Sequence, residues 1–599
     1  MRSLAHLNKY FWRYKLRFVL GLIFITISNV YAVLPARIVG ITLDLLSDLS
    51  TVENQFRDTP FETFVGGSGI GIWFFFGSVI VLSALLKGVF MFLMRQTIVV
   101  MSRLIEYDLK NEIYDHYQKL SLSFFKRNNT GDLMARITED VSQVRMYLGP
   151  AVLYAVNLMV LFPMVIFSMI QVSPSLTAYV LLPLPILSIT IYQVSRLINI
   201  QSLKVQKQLS AMSTFVQESF SGIRVLKAYA KEDLWASSFE KETQHYKDAS
   251  LELVRINALF FPTMLILIGL STILTIYVGG RQAMAGTITT GNIAEFIIYI
   301  NMLTWPVAAI GWITSIIQRA AASQTRINEF LRTEPEIQNT NLEETPIGGN
   351  ITFEHVSFVY PDSGKKALND VSFRVKQGES LAILGRTGSG KSTIASLITR
   401  TYDTTEGKLL IDDRPIQELN LNSVRSSIGY VPQDVFLFSD TISNNISFGM
   451  AKAEITEMEI ERAAQQADIY DNIIDFPQGF QTRVGERGIT LSGGQKQRIS
   501  IARAIIRDPR ILIFDDCLSA VDTETEEKIL GHLKDLMVGK TTVIISHRIS
   551  SVKHADQIIV IDNGSIIEQG NHGQLIELEG AYYSLYQKQL LEADERKTA

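Results

Sequence analysis

The chain of 599 residues contains one cysteine, Cys517, which excludes an intrachain disulfide framework and a cysteine-rich metal site. Charge is scarce too: Asp, Glu, Lys and Arg make up 19% of the residues, against about a quarter in an average domain. The scarcity is uneven. Up to residue 337 there are 29 Lys/Arg and 23 Asp/Glu, net +6, and beyond it 27 and 37, net −10. Neither part has the clustered basic face of a nucleic-acid binder, so no nucleic-acid partner is expected. The largest absence lies between residues 146 and 195, which hold no charged side chain at all.

Apolar runs of 18 or more residues are long enough to cross a bilayer as helix, at about 20 residues per crossing. Residues 146–195 make two such spans, turned at Gln171-Val-Ser-Pro-Ser175, and further charge-free runs cover 18–36, 63–86, 256–280 and 296–318. Six spans are expected. Basic residues gather at Arg2, Lys9, Arg13, Lys15 and Arg17, then in 95–145 and 196–255, while the alternate loops carry only Arg57 and Arg281. Basic loops stay in the cytoplasm, so both termini are placed there in an integral, multi-pass protein, with the bacterial plasma (inner) membrane as the expected location. No cleavable signal peptide is evident, and the start with Phe11, Trp12 and Tyr14 reads as an interfacial helix. If each of the two long basic loops is a pair of helical arms, their tips reach about 35 to 40 Å beyond the membrane.

Within the spans, Lys87 reads as a snorkelling side chain. Arg37 and Glu295 are expected at similar depth near the outer ends of the first and sixth spans, paired as part of an outer gate, because intramembrane charge is costly and often functional. The aromatic residues (Trp73 to Phe76, Phe260, Phe261, Tyr299, Trp305, Trp312) read mainly as packing or lipid-facing groups rather than a cavity lining for apolar or cationic substrates.

Residues 338–350 are a polar linker with Pro346-Ile-Gly-Gly349, and short apolar strands follow from Ile351. The stretch Gly385-Arg-Thr-Gly-Ser-Gly-Lys-Ser-Thr393, after an apolar strand and before a helix-forming run, fits the P-loop pattern. Gly385, Arg386, Thr387, Gly388, Ser389 and Gly390 form the turn whose N–H groups close on phosphate oxygens. Lys391 supplies charge, and Ser392, followed by Thr393 at a helix start, can ligate Mg²⁺. Ile511-Leu-Ile-Phe514 runs into Asp515-Asp516, an arrangement that suits a Mg²⁺-binding carboxylate followed by an acid facing an attacking water. Between them, Leu491-Ser-Gly-Gly-Gln495 opens a second helix, and Ser492, Gly493, Gly494 and Gln495 make a second anion site by the same physics.

With six spans and these motifs, the chain resembles an ATP-binding cassette (ABC) exporter half-transporter of the multidrug and lipid exporter type. The resemblance covers almost the whole chain. It implies an α-helical membrane domain with long cytoplasmic extensions (residues 1–337, with two cytoplasmic coupling loops), a linker (338–350), and an α/β P-loop NTPase cassette (351–599) using ATP and Mg²⁺. It further implies that Tyr360 stacks on adenine, that Gln433 senses Mg²⁺ and contacts the membrane half, and that His547 lies near the γ-phosphate. Catalysis would then rest on Asp516, His547 and Gln433, and metal binding on Ser392, Gln433 and Asp515. Gly485-Glu-Arg-Gly488 resembles the loop that meets the cytoplasmic arms, and Ser519-Ala-Val-Asp522 the loop crossing the dimer interface. Phe124 to Asp132 and Ser221 to Lys227 look like coupling helices. Two cassettes would close head to tail, each ATP lying between one P-loop and the partner's signature.

One position departs from the pattern: Asp516 stands where an active cassette usually has Glu. A carboxylate drawn back by about one methylene is expected to hydrolyse slowly, because about 1 Å of misplacement can cost roughly 10²-fold. A heterodimer is therefore favoured over a homodimer, as in heterodimeric multidrug exporters with one degenerate site. The expected function is ATP-dependent export of amphiphilic or hydrophobic substrates by alternating access, with membrane lipid and a small-molecule or lipid substrate as partners. The alternatives are a lipid flippase and an ATP-holding regulatory subunit whose partner hydrolyses.

Overall fold

Charge-free runs of Leu, Ile, Val and Phe fold as helices because lipid offers backbone amides no other partner. The computed structural model describes residues 2–47, 69–450, 455–485, 491–517, 531 and 537–598. Its contacts divide the chain into two units, residues 1–117 with 131–333, and residues 118–130 with 334–599.

In the first unit, α1 (Lys15–Ser47) and α2 (Gly69–Lys119) precede α3 (Leu122–Arg127), a short helix that belongs to the second unit. Then come α4 (Thr130–Val172), α5 (Pro174–Leu181), α6 (Pro183–Ser221), α7 (Ile223–Ala228), α8 (Glu232–Met284) and α9 (Thr290–Leu331). Among the described residues five helices, α1, α2, α4, α8 and α9, are long and apolar enough to cross a membrane. The stretch expected as the fourth span is helical but divided at Leu182, because Pro183 opens α6 at a position where its missing N–H leaves no bond unmade. The expected turn at Ser173-Pro174 is present: Ser173 Oγ accepts the Leu176 N–H at 3.2 Å and caps α5. The 53 residues of α8 give a helix about 80 Å long, against a hydrocarbon core of about 30 Å. The basic loops are thus largely helical continuations of the spans.

Small residues bring α1 and α9 together, as in membrane helix pairs generally. A Cβ on Gly291 would lie 1.9 Å from the Gly40 carbonyl oxygen. Asp44 caps α9, accepting from Gly291 N at 2.7 Å and Thr289 Oγ1 at 2.6 Å. The expected Arg37–Glu295 pair is not formed. Glu295 is buried and accepts from Tyr299 Oη at 2.8 Å and Asn292 Nδ2 at 3.4 Å, so its own helix satisfies it from one turn either side, while Arg37 is exposed. Phe76 and Tyr299 are core residues, and Trp312 packs edge-on against Tyr154. The side chains of Trp73, Phe260, Phe261 and Trp305 lie outside the described residues. Lys87 is exposed.

The cassette contains two sheets. The antiparallel one has the order β2-β1-β4-β5, with β1 Ile351–Val359, β2 Lys366–Val375, β4 Glu406–Ile411 and β5 Arg414–Pro415. The second has the order β10-β9-β3-β8-β7-β6, all parallel except β10. Its strands are β3 Ser380–Gly385, β6 Ile428–Val431, β7 Ile511–Asp515, β8 Thr541–Ile545, β9 Gln557–Asp562 and β10 Ser565–Gly570. Its inner strands are buried along their length (all five residues of β7 and of β8), as a sheet covered on both faces requires. Helices α10 (Lys391–Ile398), α11 (Gly493–Ile505) and α12 (Ala581–Thr598) complete the elements that matter for the site.

Candidate nucleotide site

In open parallel sheets, ligands gather outside the carboxyl ends of the strands. The ends of β3, β7 and β8 deliver the P-loop, Asp515-Asp516 and His547 to one place. Between β3 and α10 the chain turns through Gly385, Gly388 and Gly390, with φ of 155°, 82° and 106°. A Cβ at Gly390 would sit 2.4 Å from the Ala367 carbonyl, so only glycine lets the loop lie this close to β2. Lys391 Nζ donates back across the loop to the carbonyls of Gly385 at 2.8 Å and Arg386 at 2.9 Å. Burial lowers the Lys391 ammonium pKa, opposed by Asp516 and Asp515.

Asp515 is 3% exposed and accepts from Ser392 Oγ at 2.9 Å and Tyr430 Oη at 3.4 Å. Burial raises its carboxyl pKa despite those donors. Asp516 has a positive φ of 47°, and its N–H donates to the Ile545 carbonyl at 2.8 Å. Its carboxylate accepts from His547 Nδ1 at 2.9 Å and Gln433 Nε2 at 3.4 Å. A cleft of about 240 Å³ is lined by Tyr360, Thr387, Gly388, Gly390, Lys391, Ser392, Thr393, Gln433, Asp515, Asp516 and His547. The oxygens of Ser392, Gln433 and Asp515 form a hard donor set of the kind Mg²⁺ takes.

The residues of the second anion motif are elsewhere. Ser492, Gly493, Gly494 and Gln495 do not line this cleft. Ser492 Oγ accepts from Gln495 N at 3.3 Å while Gln495 Oε1 accepts from Ser492 N at 3.0 Å, a capping box that opens α11. The Ser-x-x-Gln spacing carries that signal in the sequence itself. Gly385, Arg386 and Ser389 hold the loop from behind: Ser389 is buried, and its carbonyl accepts from Gly564 N at 3.1 Å. The expectations for Glu486 to Gly488 and for Ser519 to Asp522 fall outside the described residues.

Tyr360 is half-buried; its hydroxyl is 3.0 Å from Thr393 Oγ1, and its ring meets Phe358 and Tyr402 edge-on. Lys126, on α3, places its ammonium 5.1 Å from the Tyr360 centroid and 5.4 Å from that of Tyr402. Nothing in the local sequence pattern pairs Lys126 with Tyr360, since 234 positions separate them. Nor does the local sequence pattern mark Tyr430, although its place near the end of a strand neighbouring β7 puts its hydroxyl on Asp515.

Comparison with known proteins agrees with this architecture. Residues 18–307 match the family pattern of the ABC transporter transmembrane region, and residues 368–519 that of the ABC transporter family. The multidrug resistance-like ATP-binding protein MdlA of Escherichia coli (strain K12) is 36% identical over 99% of this chain and 98% of its own length. The ATP-dependent lipid A-core flippase of Syntrophus aciditrophicus (strain SB) is 35% identical over 81% of this chain and 80% of its length. A bacterial Atm1-family ABC exporter, solved with ATP bound, has the same fold with a TM-score of 0.77 and 25% identity, covering 98% of this chain and 99% of that one. A helical membrane region fused to an α/β ATP-binding cassette, matched along nearly its full length, places this chain in the ABC transporter family as an exporter.

Proposed function

We propose that this ATPase, coupled to transport across a membrane, exports amphiphilic or hydrophobic molecules as half of a dimer. The membrane region extends to residue 337, a linker to 350, and the cassette from 351. In this reading the P-loop from Gly385 to Thr393 holds the ATP phosphates, Tyr360 stacks on adenine, and Ser392, Gln433 and Asp515 hold Mg²⁺. When bound, Mg²⁺ neutralises charge developing on the phosphates. Gln433 and His547 share the Asp516 carboxylate, and so fix the direction in which that carboxylate can face a water.

One observation carries the reading: groups from the P-loop, from just beyond the ends of β6, β7 and β8, and Tyr360 after β1 meet in one cleft. The signature Ser492–Gln495 would close a partner's site instead. ATP binding that favours the closed dimer then supplies the free energy for alternating access, since a ligand shifts an equilibrium only by its differential affinity.

Asp516 favours a slow site in this chain and a heterodimer whose partner carries Glu, with a homodimer as the other arrangement. The substrate class rests on analogy with the multidrug resistance-like relative. The flippase relative supports lipid as a second reading, and the same Asp516 supports an ATP-holding regulatory role. The location that fits is the bacterial plasma (inner) membrane, with both termini and the cassette in the cytoplasm. The test is ATP-dependent accumulation of a fluorescent cationic amphiphile, or of a labelled lipid, in inside-out vesicles. Lys391→Ala should abolish it, and undiminished transport by that variant would overturn the reading.

A further inference from the structure

Gln589 belongs to no nucleotide-binding motif. It lies on α12, 42 positions beyond His547, yet its amide bonds the backbone on both sides of Arg548. Nε2 donates to the His547 carbonyl at 2.7 Å, and Oε1 accepts from Ile549 N at 2.8 Å. Ile549 is 2% exposed, so that donor has little recourse to water. On the other side the loop is tied to the sheet by Ser546 N, which donates to the Ile383 carbonyl at 3.2 Å. His547 therefore stands between a strand and a side-chain amide, with its ring nitrogen on Asp516.

The post that carries Gln589 is itself fixed. Glu568 on β10 accepts from the first two backbone N–H groups of α12, Ala581 and Tyr582. Gly580 makes room for this, because a Cβ there would lie 2.1 Å from Glu568 Oε1. Tyr582 is fully buried and its hydroxyl is 2.6 Å from His572 Nδ1, while Leu585 and Tyr586 pack on the cassette core. A helix anchored through its first turns presents Gln589 about two turns further on in a defined place.

We propose that Gln589 is a positioning residue for His547, so that the C-terminal helix sets the rate of ATP hydrolysis rather than the affinity for ATP. The proposal rests on the reading of His547 as a group beside the γ-phosphate. Loss of the amide frees the His547 peptide to shift, and the ring with it, while the P-loop and Tyr360 are untouched.

The experiment measures ATP hydrolysis by the full-length protein in lipid nanodiscs for the wild type, Gln589→Ala, Gln589→Glu, His547→Ala and the double variant Gln589→Ala/His547→Ala. Gln589→Glu still accepts from Ile549 but presents no donor to the His547 carbonyl, and so isolates that bond in a chain that keeps the other. Both Gln589 variants should lower kcat by about tenfold or more. KM for ATP should change by less than about twofold, the pattern of a lost transition-state interaction. The double variant should be no slower than His547→Ala alone, because residues acting as a unit are not additive. Wild-type kcat in both Gln589 variants, with His547→Ala slow, would overturn the positioning role alone. A further loss in the double variant would overturn it too, and wild-type turnover in His547→Ala would bring down the underlying reading of that histidine.

Discussion

Replacing Asp516 by Glu sets two effects of opposite sign against each other. The carboxylate now accepts from His547 Nδ1 at 2.9 Å and Gln433 Nε2 at 3.4 Å. One added methylene advances it by on the order of 1.3 Å, and a misplacement of about 1 Å is worth roughly 10²-fold in rate, or about 2.7 kcal/mol of barrier. Against this stands the backbone. Residue 516 has φ of 47°, a left-handed conformation that costs an L-residue about 1–2 kcal/mol and that short polar Asp tolerates better than Glu. A loss of about 1 kcal/mol lowers the melting temperature of a 150–250-residue domain by about 2–4 °C. The Glu variant should thus turn over ATP some ten- to hundredfold faster while melting slightly lower. Phosphate release and thermal unfolding of the full-length protein in nanodiscs measure the two. An unchanged rate in a variant that folds and binds ATP would refute the geometric reasoning.

Three further outcomes follow from the same geometry. Ser392→Ala removes the hydroxyl that sits 2.9 Å from Asp515 and should raise the Mg²⁺ concentration needed for half-maximal hydrolysis by at least about tenfold, read from a Mg²⁺ titration with EDTA as the zero point. Tyr360→Ala should raise KM for ATP roughly fivefold to a hundredfold, since aromatic–base stacking is worth about 1–3 kcal/mol, whereas Tyr360→Phe keeps the ring, loses only the contact with Thr393 and should stay near wild type. Gly291→Ala would place a methyl 1.9 Å from the Gly40 carbonyl, so α1 and α9 must part at this contact at a cost of about 1–3 kcal/mol, seen as a lower melting temperature in detergent.

The cassette was legible in the sequence because its chemistry is local. Glycines, Lys391 and Ser392 lie within a few positions of one another, and backbone geometry alone brings them together. Asp515 could be placed because a strand fixes where its last residue emerges. The membrane half was legible only as spans. Composition places a helix in lipid but does not say where it divides, and Pro183 broke the fourth run although its charge pattern is uniform. Glu295 shows the limit most plainly. Similar depth for Arg37 and Glu295 followed from counting residues, but a carboxylate takes the donors it can reach, and Tyr299 and Asn292 stand one turn away on its own helix. Lys126 and Gln589 lay beyond reach for another reason: each touches a residue of the cleft or its loop from a distant part of the chain, where pattern carries no information about contact.

The opposite charges of the two halves, +6 and −10, raise the question of what holds residues 118–130 to the cassette. Net charge is a poor answer. Arg127 and Glu336 form an ion pair at 3.4 Å with both side chains nearly half exposed, and exposed pairs are worth about 0–1 kcal/mol. More specific contacts lie beside it. Ser121 Oγ accepts from Ile337 N at 3.0 Å, Ser123 donates to Glu336, and the exposed Lys126 ammonium sits over two aromatic rings, an arrangement worth about 0.5–1 kcal/mol at an exposed site. One of those rings is Tyr360. On the proposed assignment it also receives adenine, so the tip of the first basic loop and the nucleotide share a single aromatic side chain. The helix α2, which enters that tip, is the same 51-residue helix that begins in the apolar run of the second span.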